Sequence, residues 1–120
     1  MTAGRLDFII EKGAKFYRRM QLKNDDGTTR TLEGYVVKCQ IRESYETSTI
    51  LHELTEANGG IEVLDDPNAS FAVSIDALYT SPDADYAVYD IIVQNEEFLD
   101  REVERVLSGK IIYSKGVTHV

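Results

Sequence analysis

Apolar residues fall along this chain in short alternating runs closed by turn-forming residues, and a period of two predicts strands. Leu6, Phe8 and Ile10 alternate before Glu11-Lys12-Gly13. Phe16, Met20 and Leu22 share a parity, and Lys23 to Gly27 follows, where Asp26-Gly27 is a hairpin signal. The clearest strand places Tyr35, Val37, Cys39 and Ile41 on one face and Val36, Lys38, Gln40 and Arg42 on the other. That is the pattern of an antiparallel strand wetted on one side. Asn58-Gly59-Gly60 predicts a turn, and Ile61, Val63 and Leu64 a short strand ended by Asp65 to Asn68. Phe71, Val73 and Ile75 alternate with Ala72, Ser74 and Asp76. After a turn at Thr80 to Asp83, Tyr86 to Val93 is apolar enough for a central strand. Ser108-Gly109 precedes a strand-like Lys110 to Ser114, and Val117 to Val120 closes the chain.

Two stretches fit either period. In Glu96 to Leu107, Phe98/Leu99, Val103 and Val106/Leu107 recur at helical spacing, yet Val103, Arg105 and Leu107 also make a strand after a turn at Asp100-Arg101. Ser48 to Ala57 behaves alike, since Ile50, Leu51 and Leu54 fit a helical turn. Seven or eight short strands at intervals of about eight to twelve residues predict an all-β sandwich or barrel. A βαβ arrangement would need repeated helical segments, and these are missing. With no internal repeat, low-complexity segment or linker, residues 1–120 are expected to form one domain.

Composition narrows the function. The hydrophobic fraction of 42% and charged fraction of 28% are those of a folded globular chain. The net charge is −8, and no basic cluster is longer than Arg18-Arg19, so direct nucleic-acid binding is disfavoured. Those two arginines lie mid-strand, where successive side chains point to opposite faces. One could pair with a carboxylate inside a subunit interface; a simple exposed pair is the plainer reading. A single cysteine, Cys39, excludes an intramolecular disulfide and reads as a small buried hydrophobe. No window approaches the roughly 18 apolar residues of a membrane span, and no signal peptide is evident. A soluble protein of a reducing cytoplasm is expected.

Catalytic equipment is sparse. His52-Glu53-Leu54-Thr55-Glu56 begins like a zinc-protease helix, but position 56 is Glu, and the other histidine, His119, lies at the chain end. Asp65-Asp66, Asp83/Asp85 and Glu96-Glu97 are paired carboxylates without the loop pattern of a calcium site. Their spacing leaves a glycosidase-type acid pair open, though the chain has no tryptophan to serve as a sugar platform. No phosphate-binding glycine loop or nucleophile elbow is present. No catalytic residue, cofactor or metal is therefore assigned. A carbohydrate- or host-surface-binding face would need exposed aromatics, for which Tyr45, Tyr79 and Tyr86 are the candidates; the plainer reading is that they pack.

The order of motifs resembles a group of small virion-associated proteins of tailed bacteriophages. The matching residues are Asp26-Gly27, Leu32-Glu33-Gly34-Tyr35, Gln40-Ile41-Arg42 with Ser44-Tyr45, Gly60-Ile61, Phe71 to Ile75 and Thr80. Tyr89-Asp90-Ile91, Arg105 to Gly109 and Val117-Thr118 complete the series. The chain is similar, more loosely, to the N-terminal domains of phage baseplate upper proteins. It departs from the pattern at Glu33, often Thr in the group, and in a Glu96–Glu102 insertion where the group has a short glycine turn. The resemblance implies an immunoglobulin-like β-sandwich, with strands at about Ile50 to Thr55 and Val103 to Leu107. It also implies a non-enzymatic virion protein, assembled in the host cytoplasm in symmetric copies and bound to other tail, neck or baseplate subunits, or to the capsid as a decoration protein. The motif residues Gly34, Tyr35, Ile41, Arg42, Tyr89, Asp90, Arg105 and Gly109 would then be structural. Gly34 would turn the backbone with positive φ, Tyr89 and Ile91 would fill the core, and Asp90 would face out or cap a neighbouring backbone. Arg105 would precede a final hairpin whose bend Gly109 would relax.

Overall fold

A computed structural model describes residues 4–23, 26–28, 31–65, 69–80, 85–97 and 103–115. The strands among them are β1 (Gly4–Arg5), β2 (Phe8–Glu11), β3 (Phe16–Gln21), β4 (Tyr35–Arg42), β5 (Ile50–Thr55), β6 (Ile61–Asp65), β7 (Ser70–Ile75), β8 (Tyr86–Asn95) and β9 (Val103–Ser114). A single 3₁₀ turn, Ala77–Tyr79, is the one helical element among the described residues. The larger sheet has the order β1-β9-β8-β4-β5, with β2 also on β9, and the smaller has the order β3-β7-β6.

The alternation read from sequence decides which face of each strand is dry. Val37, Cys39 and Ile41 of β4 are buried while their neighbours are half-buried. Tyr89, Ile91 and Val93 of β8 line up beside them in register, with Ile91 opposite Cys39. Phe71, Val73 and Ile75 of β7 come from the other sheet, and all belong to one buried cluster. The chain is therefore all-β, two antiparallel-rich sheets closing on one core, as the pattern predicts. The central-strand reading of Tyr86 to Val93 holds, since β8 lies between β4 and β9. Nine strands rather than seven or eight arise partly because β1 and β2 form one lane. Both pair parallel to β9 with the same offset, interrupted only at Leu6-Asp7.

Both ambiguous stretches form strands over Ile50–Thr55 and from Val103 onward, and neither forms a helix among the described residues. Ile50–Thr55 pairs with β4 and Val103–Ser114 with β8. Pairing satisfies the open backbone edges of β4 and β8, which a helix would leave bare, so tertiary context overrides the local helical spacing. Positions 98–102, inside the proposed insertion, and the closing Val117 to Val120 lie outside the described residues.

Two expectations are corrected. Asp26-Gly27 does turn, and the Thr28 amide and hydroxyl both donate to Asp26 Oδ1, at 2.9 and 2.6 Å. It does not close a hairpin, because β3 pairs with β7 in the small sheet while β4 lies in the large one. The apolar face of β3 has to cover that of β4, so the connection crosses the sandwich. Nor, among the described residues, does the chain turn back at Gly109: strand β9 runs from Val103 through Arg105 and Gly109 to Ser114, with a register shift opposite Ile91/Ile92. Gly109 serves close approach instead, since a Cβ there would sit 2.0 Å from the Leu6 carbonyl oxygen. Gly34 does take positive φ, +78°, at the entry to β4.

Candidate interaction surface

The pleat sends every second residue of β4 and β8 to the outer face of the large sheet, and the polar ones meet there. Gln40 and Asp90 are register partners, as are Arg42 and Val88. Arg105 reaches across from β9, its Nε donating to Asp90 Oδ2 at 2.9 Å. Arg42 donates to Gln40 Oε1 at 2.9 Å and to the Thr47 carbonyl at 3.0 Å. Gln40 in turn donates to Glu53 Oε2 at 2.7 Å, which also faces Lys38 Nζ at 3.4 Å. Gln40, Arg42, Asp90 and Arg105, with Ser44 and Tyr45, border an open groove of about 240 Å³.

Of the eight motif residues, the structure thus gathers Arg42, Asp90 and Arg105 at one groove. Gly34 and Tyr35 lie at the start of β4, where the Tyr35 amide donates to Leu32 O and Gly34 O accepts from Glu96 N. Ile41 is in the core. Tyr89 and Gly109 converge on Leu6, whose carbonyl accepts the Tyr89 hydroxyl proton. There the Asp7 carboxylate replaces a backbone acceptor in the ladder, taking the Lys110 amide at 2.9 Å. Asp90 faces out and pairs with the Arg105 side chain rather than capping a backbone group.

A second groove of about 240 Å³ lies at the β5–β6 turn, bordered by His52, Asn58, Ser74, Asp76 and Tyr79. His52 stacks on the Tyr79 ring, with centroids 4.7 Å apart and planes at 14°. Loss of solvation lowers the imidazole pKa from its ordinary value, with Asp76 opposing. No group of three or more His, Cys, Asp or Glu among the described residues is placed to hold a metal ion. Asp85 of the proposed acidic pairs faces Lys12 and Lys115, at 3.8 and 3.7 Å. Asp66 and Asp83 lie outside the described residues.

Two features escaped the sequence reading. Thr80 is fully buried, accepting the Gly13 amide at 3.1 Å and donating to Ala77 O at 3.0 Å, so it ties the β2–β3 turn to the 3₁₀ turn before β8. On the outer face of the large sheet, Ile9, Ile112 and Tyr86 stand in one cross-strand row. They are 67%, 41% and 67% exposed. The parity of Ile9 and Ile112 was visible in the sequence; that β2 lies beside β9 was not. No family model and no curated protein matches this chain.

Proposed function

We propose that this chain is a non-enzymatic structural module of a tailed-phage particle, in its tail, neck or baseplate region, where it binds other virion subunits. The observation that carries adhesion is the row Ile9–Ile112–Tyr86, three large, exposed apolar side chains in register on the outer face of the large sheet. Such contiguous exposed apolar surface marks protein contacts. A structural role also agrees with Asp90 in the first groove and Glu53 beside it, which are engaged by Arg105 and by Gln40 and Lys38 rather than poised for proton transfer. The strand order supports an immunoglobulin-like assignment. With β1/β2 as A′, β3 as B, β4 as C, β5 as C′, β6 as D, β7 as E, β8 as F and β9 as G, the sheets read A′GFCC′ and BED. The motif order from Asp26-Gly27 to Gly109 supports the phage setting.

Particles assembled in cells carrying this reading frame with its neighbours provide the test. Density for the chain in repeated symmetric copies at the tail, neck or baseplate is the expected result. An Ile9→Asp/Ile112→Glu chain should fold yet fail to join the particle. Absence of the wild-type chain from particles, or turnover of a substrate by the isolated chain, overturns the reading.

A second reading, host-surface glycan binding, is favoured by one observation: Tyr45, Tyr79 and Tyr86 are 64%, 55% and 67% exposed. Tyr45 borders one groove and Tyr79 the other, so they do not share a described groove. Glycan-array binding lost on changing these tyrosines to alanine would establish it.

A further inference from the structure

The two edges of the small sheet carry opposite charge. Strand β3 is one edge and β6 the other, each pairing only with β7 among the described residues. Lys15, Arg18, Arg19 and Lys23 line the β3 side, all exposed and none in an ion pair among the described residues. Glu56 and Glu62, both exposed, belong to the β6 side, with Asp65 ending that strand in sequence. The register sharpens this. Arg19 is the partner of Ala72, and Ala72 is the partner of Glu62, so Arg19 and Glu62 occupy one row and one face at opposite edges. Ala72, buried although its parity is outward, is the small residue between them.

Charged edges also discourage unwanted strand pairing. That role would be met by the same sign on both edges; opposite signs make the edges complementary to each other. We propose that the chain self-associates head to tail, the basic β3 edge of one copy lying beside the acidic β6 edge of the next. Strands β3 and β6 both run antiparallel to β7, hence parallel to each other. A second copy translated across the sheet therefore keeps that direction and sets its Glu62 level with Arg19 of the first. A twofold pairing of like edges would instead oppose Arg19 to a basic edge, or Glu62 to an acidic one, which is unfavourable. Contacts between unlike surfaces build rings when the rotation closes and filaments when it does not. The inference names a partner for the structural role proposed above and adds a site separate from the Ile9–Ile112–Tyr86 row.

Sedimentation equilibrium of the full chain tests it. At low salt the mean mass should rise with concentration above 13.5 kDa, and it should fall back at high salt, where exposed charges are screened. Lys15→Glu/Arg19→Glu should weaken association about tenfold or more, as should Glu56→Lys/Glu62→Lys. A chain carrying all four changes restores complementarity and should associate again, as should an equimolar mixture of the two double variants. Circular dichroism matching the wild type verifies that each variant is folded. A wild-type mass that stays at the monomer value, or variants that associate like the wild type, overturns the proposal. So does a four-fold variant that remains monomeric. A strictly monomeric chain that still enters particles would sink this inference alone and leave the structural role standing.

Discussion

Gly109 and Tyr89 act on the same atom, the carbonyl oxygen of Leu6. Tyr89 donates its hydroxyl proton there, and Gly109 leaves room for the carbonyl to pass. Gly109→Ala puts a carbon into backbone that cannot move aside, so it should cost about 3 kcal/mol. Gly34→Ala meets no atom within 4 Å and suffers only from its φ of +78°, so it should cost about 1 kcal/mol. Tyr89→Phe removes the hydroxyl donor from the half-buried Leu6 carbonyl and should cost about 1 kcal/mol. Urea midpoints at constant slope measure all three; equal losses for the two glycines would refute the assigned roles. That both motif glycines mattered was legible in the chain. The reason for Gly109 was not, because the Leu6 carbonyl is about a hundred residues away in sequence.

At the scale of the element, the alternating runs became strands with the dry faces they indicated, and β4 did so from Val37 to Arg42. Helical spacing in Ile50 to Leu54 and in Val103 to Leu107 was overruled by the bare edges of β4 and β8, a demand no local window contains. Partner choice also escaped the chain: Asp26-Gly27 marks a turn, but which sheet the next strand joins depends on the face that must be covered. Protection should follow position in the sheet. Amides of β4 and β8, flanked on both sides, should exchange slowest, and those of the two-residue β1 fastest. Hydrogen exchange followed by mass spectrometry reads this ranking. The Asp90–Arg105 pair joining β8 and β9 is open to solvent on its Arg105 side, so Asp90→Ala should cost about 1 kcal/mol.

On the scale of the whole molecule, one core shared by both sheets couples them. Phe8 of the large sheet stacks on Tyr89 at 4.4 Å and tilts against Phe16 of the small sheet at 5.2 Å. Unfolding should therefore be one cooperative transition, and separate transitions by fluorescence and circular dichroism would contradict a shared core. The same burial sets the alkaline limit. It pushes the Cys39 thiol up from its ordinary 9.0 and the Tyr89 and Tyr113 hydroxyls up from 10.0, Tyr113 to about 12. Because the folded state keeps protons that the unfolded state releases, this stability is whole below pH 9.0 and is lost as pH rises through the folded values. Cys39→Ala should move the onset of alkaline loss from about pH 9.0 to about 10.0 in urea titrations. Cys39 should also react with a thiol reagent only after denaturation.

The chain by itself determined the class of fold and the inner face of nearly every strand, because side chains alternate with a period of two whatever the partner. Tertiary structure alone decided which strands are neighbours, and with that the Ile9–Ile112–Tyr86 row, the meeting of Arg42, Asp90 and Arg105, and the level placement of Arg19 and Glu62 at opposite edges. Pairing between strands distant in sequence is set by the shape and area of the whole core, which no single run of residues encodes.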